Sequence, residues 1–273
     1  MGRVGHTRED VVTLKVALFA TCLGDQLFPD AVVAAVRLLR SLGADVAFPE
    51  RQTCCGQPAF NAGHHDEARA IARHHLEVFA PFDHVVLPSG SCGAMVRSHY
   101  PHLFDEGSPE AAAAADLAER TFELTTFVSE VLGVDDVGAD LRGVSVTYHD
   151  SCHAMRFMGV GDAPRRLLRA AGADLIEAVG HDVCCGFGGL FAVKMPEISA
   201  AMARAKHAGI HATGASVLTS TDAGCLMQLA GTLRREGATV RVTHVAELLW
   251  EGVQRARAGA RAPGARSASP AGG

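Results

Sequence analysis

Leu14-Lys15-Val16-Ala17-Leu18-Phe19-Ala20-Thr21-Cys22 is an almost unbroken apolar run that stops at a cysteine, and Val144-Ser145-Val146-Thr147-Tyr148-His149-Asp150-Ser151-Cys152 repeats the arrangement. Each run reads as a strand, the first with the continuous apolar character of a strand buried on both faces of a parallel sheet. A helix signature follows each. The first has Pro29 near its start, Val32, Val33, Val36 and Leu39 on one face, and Gly43 as a stop; the second runs from Asp162 and Pro164 through Leu167, Leu168 and Ala171 to Gly172. Residues 44–48 and 173–177 predict second strands, 64–79 and 196–210 second helices, and Val85-Val86-Leu87 and Val217-Leu218-Thr219 third strands. After a fourth short strand, residues 126–132 echo residues 243–249. The pattern is β-α-β-α-β twice. It predicts an α/β fold of two pseudo-repeated lobes, 11–135 and 140–252, each built on a parallel sheet.

All eight cysteines fall on this repeat, as Cys22, Cys54-Cys55, Cys92 and again as Cys152, Cys184-Cys185, Cys225. The single cysteine precedes the pair by 32 residues in both copies, and the pair precedes the last cysteine by 37 and 40. Core cysteines acting as small hydrophobes have no reason to reproduce such a gap. In parallel sheets ligands bind beyond the carboxyl edge, so four thiols per lobe are expected to meet on loops there. Glycines flank the later cysteines in Cys54-Cys55-Gly56, Gly90-Ser91-Cys92-Gly93, Cys184-Cys185-Gly186-Phe187-Gly188-Gly189 and Gly224-Cys225. They permit turns that a side chain would block and expose N–H groups toward sulfur. Zinc accepts four cysteines, but structural zinc sites generally use close Cys-x-x-Cys pairs, whereas these ligands spread over about 70 residues. An iron–sulfur cluster offers several iron corners to ligands from separate strands, and one cluster in each lobe is the favoured reading. A zinc-stabilised interaction module and a thiol–disulfide enzyme built on either vicinal pair stay open as alternatives. A vicinal disulfide would leave Cys22, Cys92, Cys152 and Cys225 without a role.

The composition frames these readings. The chain has 273 residues, 48% hydrophobic and 20% charged, with a formal net charge of −5. That balance suits a soluble globular protein and gives no electrostatic reason to bind nucleic acid or an anionic membrane. The first residues show no apolar signal core, and no apolar run approaches the roughly 18 residues of a membrane span. A cytoplasmic location and no membrane insertion are expected, and in that reducing compartment spaced cysteines are more often metal ligands than disulfides.

At Thr21-Cys22-Leu23, residues 54–61 (CCGQPAFN), Pro88-Ser89-Gly90-Ser91-Cys92, Tyr148-His149-Asp150-Ser151-Cys152-His153 and residues 184–191 (CCGFGGLF), the sequence resembles a known family. It is the cysteine-rich CCG domain shared by heterodisulfide reductases, glycolate oxidase iron–sulfur subunits and the lactate-utilisation protein A family, and the last matches best over residues 14 to about 250. The resemblance implies an iron–sulfur component that works with two partner proteins, one of them an iron–sulfur protein, in oxidising L-lactate to pyruvate. One departure bears on the cofactor. The heterodisulfide reductase domain ends each copy in Cys-x-x-Cys, whereas here Ser89 and Asp222 stand three residues before Cys92 and Cys225. Four cysteines suffice for a conventional [4Fe-4S] cluster, and serine or aspartate oxygen is a harder, poorer donor to iron–sulfur chemistry.

Other polar residues carry weaker signals. His149, Asp150 and His153 bracket Cys152 and could tune a cluster, supply a proton or cap the following turn, and Ser89 and Asp222 lie equally near the last cysteines. His64-His65 and His74-His75 fall on a helix expected at the surface, in a solvated role. Arg156 and Lys194 read as surface cations, with carboxylate binding as the alternative. No catalytic base and hydride acceptor can be named, and no G-x-G-x-x-G flavin fingerprint follows the opening strands. Residues 104–119 predict an inserted helix, and residues 255–273, rich in Ala, Gly, Arg, Pro and Ser, a disordered tail.

Overall fold

Val16, Ala17 and Leu18 lose all contact with solvent in strand β1 (Lys15–Leu18), because helices cover both faces of its sheet, as parallel sheets require. The computed structural model describes residues 14–261. After β1 come α1 (Cys22–Leu27), α2 (Pro29–Ser41), β2 (Asp45–Ala47), α3 (Gln57–Asn61), α4 (His65–Phe79), β3 (His84–Leu87), α5 (Gly90–Ala94), α6 (Pro109–Glu119), β4 (Thr121–Glu123) and α7 (Leu124–Thr126). The second half repeats the order with β5 (Ser145–Tyr148), α8 (Cys152–Phe157), α9 (Ala163–Ala170), β6 (Asp174–Leu175), α10 (Leu190–Lys194), α11 (Pro196–Ala212), β7 (Val217–Ser220), α12 (Ala223–Arg235), β8 (Arg241–His244) and α13 (Val245–Arg261). Every strand pair is parallel, in the orders β2-β1-β3-β4 and β6-β5-β7-β8. The registers correspond: Ala17 faces Val85 across β1 and β3, and Thr147 faces Leu218 across β5 and β7. The expected α/β class with two pseudo-repeated lobes is thus what the chain forms. The inserted helix is α6, capped by the Ser108 hydroxyl on the Ala111 amide with Pro109 at its first position.

One apolar core is shared by the halves. Leu38 and Leu39 of α2 pack with Leu248 and Leu249 of α13, and the same cluster takes in Phe127, Leu167 and Leu168. Val33, grouped with the buried face of α2 by sequence, is exposed, since only its neighbour Val32 can point inward there. The seam is close-packed: α5 lies against α8, and Ala94, Ala154, Met158 and Val160 form a small cluster between them.

Two expectations change here. Residues 255–261, assigned to a disordered tail, continue α13, and residues 262–273 lie outside the described residues. Alanine and arginine are strong helix formers, and the guanidinium of Arg257 stacks over Trp250 at 5.3 Å, which anchors a stretch that lacks an apolar period. The cysteines, expected on loops, divide between two settings. The vicinal pairs lie on loops, whereas Cys22 and Cys152 open α1 and α8, and Cys92 and Cys225 fall in the first turns of α5 and α12.

Glu123 closes β4 with no solvent exposure, one carboxylate oxygen accepting from the Thr125 and Thr126 amides and the Thr125 hydroxyl. Its other oxygen has no partner. Burial raises its pKa from an ordinary 4.5 to about 7, against those hydrogen bonds. A carboxyl that binds its proton more tightly when folded stabilises the fold below pH 4.5, and that contribution, about 3 kcal/mol, is lost as pH rises to 7. Glu123→Gln should therefore flatten the fall in melting temperature between pH 5 and 8 and be the more stable protein at pH 8. Parallel pH profiles for the two proteins would refute this origin.

Candidate metal centres

Each sheet reverses its winding between its first and third strands, and ligand crevices form outside the carboxyl ends of the strands at such a point. Cys22 and Cys92 follow the two strands that flank this crevice in the first lobe, as Cys152 and Cys225 do in the second. The vicinal pairs come in from the loops after β2 and β6. Thr21 holds the entry to α1 at φ 64° and ψ 153°, a backbone region otherwise nearly confined to glycine, costing ~1–3 kcal/mol. Its hydroxyl accepts from the Gly24 amide at 3.2 Å, and the chain turns so that Cys22 opens the helix. In the vicinal motifs Gly56 and Gly186 take φ 82° and 87°, so the glycine after each pair makes a left-handed turn.

The four sulfurs of each lobe interact in one chain. Cys22 and Cys54 Sγ lie 3.7 Å apart, Cys54 is hydrogen-bonded also to Cys55, and Cys55 to Cys92. The second lobe links Cys152 to Cys184, Cys184 to Cys185 and Cys185 to Cys225. None of the eight is in a disulfide. Hydrogen bonds donated by its neighbours hold Cys54 far below the ordinary thiol range, and Cys184 likewise, with the Gly56 and Gly186 amides adding to the effect. The Gly186 amide lies 3.4 Å from Cys184 Sγ, the N–H to sulfur contact expected of these glycines. Cys22 and Cys152 are pushed up by donating to those sulfurs and then by burial, and Cys55 and Cys185 are pushed up for the same reasons. Protons bridge thiols that cannot all ionise side by side. A cationic centre would replace those protons, and a set of four clustered sulfurs is the donor chemistry that zinc or an iron–sulfur cluster takes.

The loop before each vicinal pair is clamped differently in the two lobes. In the first, His75 on α4 is fully buried, which corrects its expected solvated role. Its Nδ1–H donates to the Tyr100 hydroxyl at 2.9 Å, that hydroxyl donates to the Cys55 carbonyl at 2.9 Å, and Nε2 accepts from Thr53. Burial lowers its pKa to about 4, leaving the imidazole neutral. In the second lobe the matching position on α11 is Lys206, whose ammonium donates to the carbonyls of Gly180, His181 and Val183 at 2.7–2.8 Å. Both residues lie on the buried stripes Ala68, Ala72, His75, Phe79 and Ser199, Ala203, Lys206, Ile210. That helical spacing is the signal that could have found them. His64 and His65 are exposed as expected, as are Arg156 and Lys194.

Ser89 and Asp222 cap the helices that carry the last cysteines. The Ser89 hydroxyl accepts from the Cys92 amide, and Asp222 Oδ1 accepts from the Gly224 and Cys225 amides. Asp222 Oδ2 also accepts from the Ser91 amide at 2.7 Å, joining the two lobes where the paired crevices meet. Asp150 is engaged away from sulfur in a bidentate pair with Arg165 at 2.9 Å and a contact to His181. Burial opposes its charge, but these partners hold its pKa below the ordinary carboxylate value. His153 places Nδ1 3.6 Å from Cys152 Sγ and stacks on Phe157. His149 is buried, its ring within 4.8 Å of the Cys185 and Cys225 sulfurs. A cavity of about 410 Å³ opens beside Cys22 and Cys54, and its lining includes Asp25 and Glu50 but neither lysine nor arginine.

Two parallel sheets, each with a cysteine quartet at its crevice, define a protein with two copies of the CCG cysteine-rich domain, and the model of that family matches residues 16–97 and 146–230. The chain belongs to the lactate utilization protein A family. It is 47% identical to Lactate utilization protein A of Exiguobacterium sp. over 88% of this chain and 99% of that protein. It is 48% identical to the protein of the same name in Geobacillus kaustophilus over 86% and 98%. Among solved structures, a glutamate racemase from Thermus thermophilus covers 91% of this chain and 81% of its own at 12% identity, with a TM-score of 0.32, a likeness too loose to carry any argument. Among the described residues, no helix is long and apolar enough to cross a membrane.

Proposed function

We propose that this protein is an iron–sulfur electron-transfer component of a multi-protein system that oxidises L-lactate to pyruvate. Cys22, Cys54, Cys55 and Cys92 would hold one [4Fe-4S] cluster, and Cys152, Cys184, Cys185 and Cys225 another. The observation that carries the reading is the gathering of four interacting sulfurs at each crevice; the names of the relatives supply the lactate context. Such clusters supply one-electron transfer. Oxidation of lactate on a partner releases two electrons and two protons; two centres here take up one electron each and pass both to a partner's iron–sulfur centre. Two partner proteins, one an iron–sulfur protein, complete the system. Val179, Val183, Val193, Met195 and Ile198, all exposed near the second vicinal pair, give such a partner an apolar surface. The acidic lining of the cavity at Cys22 suits a carboxylate substrate poorly, which supports placing lactate on another chain.

The 3.7 Å separation of Cys22 and Cys54 favours one second reading, a single zinc ion in the first lobe, since sulfurs about 2.3 Å from one tetrahedral ion stand about 3.8 Å apart. Anaerobic purification of the full chain decides between them. Brown protein containing iron and sulfide, with a broad visible band bleached by dithionite, is the expected result. Colourless zinc protein establishes the second reading, and colourless metal-free protein with titratable vicinal thiols points to thiol–disulfide chemistry. With the partners added, L-lactate should bleach the band.

A further inference from the structure

His149 directly follows β5 at the crevice of the second lobe, and Phe19 holds the same place after β1 in the first. The ring is only 1% exposed. Its Nδ1 faces the His181 carbonyl at 3.2 Å, and a carbonyl can only accept, so Nδ1 carries the hydrogen. That carbonyl is fixed in turn by the Lys206 ammonium at 2.8 Å. Nε2 is therefore left with a bare lone pair. It is buried and makes no hydrogen bond, not even to a thiol, although the donor atoms of His149, Cys185 and Cys225 all lie within 4.8 Å of one another. A buried acceptor with no donor costs free energy unless something electron-poor meets it. An imidazole that gives one N–H to a backbone carbonyl and keeps its other nitrogen buried and unpaired, with two cysteine sulfurs close to the ring, has the setting of a metal-binding histidine.

We propose that Nε2 of His149 is a ligand to the metal of the second lobe, taking one iron in place of the thiolate of Cys185 or Cys225 and making that centre a mixed nitrogen–sulfur site while the first is all sulfur; this rests on the iron–sulfur reading above, with that one cysteine released from its quartet. Phe19 offers no donor in the first lobe, where it packs edge-on against His75. A neutral imidazole stabilises the reduced, more negative state of an iron–sulfur centre more than a thiolate does, as when histidine replaces cysteine on one iron of a Rieske centre. The second centre accordingly takes electrons at the higher potential, and electrons run from the first lobe to the second.

The test uses full-length protein purified anaerobically with ¹⁵N-histidine, reduced with dithionite and compared with the ¹⁴N protein by pulsed electron paramagnetic resonance. A nitrogen coupling of directly bound strength, lost in His149→Gln and kept in His153→Gln, is the expected result. Redox titration should resolve two midpoint potentials, with His149→Cys moving the higher one down. The isotope comparison needs no variant, so it stands even where a substituted protein fails to fold. Iron and sulfide are measured on the same sample. Iron-loaded protein without directly bound nitrogen overturns the histidine ligand alone, whereas protein without iron overturns the electron-transfer reading and the ligand with it.

Discussion

Cys152→Ser is expected to empty the second lobe and leave the first loaded, so that anaerobically purified protein carries about half the wild-type iron and sulfide. Cys152 opens α8 and is the hydrogen-bonding neighbour of Cys184, so its sulfur belongs to the linked quartet. A serine oxygen is a harder donor that does not replace thiolate on iron–sulfur chemistry. The substitution is otherwise mild: the position is half-buried at a helix start, where serine is well accepted, so the fold should survive and metal content should report the ligand. Cys22→Ser should halve the content from the other side, and the double variant should be colourless. Unchanged iron in the Cys152 variant would count against the ligand assignment, and complete loss would mean that the lobes do not load independently.

That the halves can be addressed separately follows from the repeat, and the repeat was legible in the sequence because β1, buried on both faces, is largely apolar and a cysteine follows β1, β5 and β7 at a distance of four or five residues. The crevice followed from topology, since β-α-β units place their loops at one edge. What stayed hidden were contacts between residues far apart in sequence. Asp222 reads as a position that lacks a cysteine; in the structure it caps its own helix and reaches Ser91 in the other lobe. The spacing that puts His75 and Lys206 on buried stripes is in the sequence, but the loops they clamp lie more than 20 residues away and are not. The tautomer of His149 depends on a carbonyl 32 residues away, which no local spacing encodes.

The copies are alike in topology and unlike in charge. The loop of the first vicinal pair is held by a neutral imidazole and a tyrosine hydroxyl, and that of the second by a buried ammonium. Lys206 lies close enough to Cys185 and Cys225 for their charges to favour its own, while burial, the larger effect, lowers its pKa. By reciprocity the ammonium favours negative charge on that quartet. On the proposed iron–sulfur reading, two centres on one scaffold would thus differ in potential although both are drawn from the same eight-cysteine pattern.

Gly90→Ala is expected to destabilise the protein by ~2–4 kcal/mol, lowering the melting temperature by roughly 5–12 °C. Gly90 opens α5 at the seam between the lobes, and a Cβ there would stand 2.4 Å from the Ala154 Cβ and 2.9 Å from the Ala154 Cα and amide nitrogen. Backbone cannot step aside without moving α8, and α8 and α5 carry Cys152 and Cys92. Gly93→Ala on the same helix is the control, because its Cβ would meet the Met158 Sδ and Cε at 2.5 and 2.7 Å, the far end of a flexible side chain, and the Leu87 Cδ2 at an ordinary 3.6 Å. That variant should stay within about 1 kcal/mol of wild type, helped by alanine's better helix propensity. Adding Ala154→Gly to Gly90→Ala removes the closest clash and should restore part of the loss, giving a coupling of about 1 kcal/mol or more in a double-mutant cycle read by thermal unfolding. Additive effects, or equal losses at positions 90 and 93, would show that the seam is looser than these contacts require.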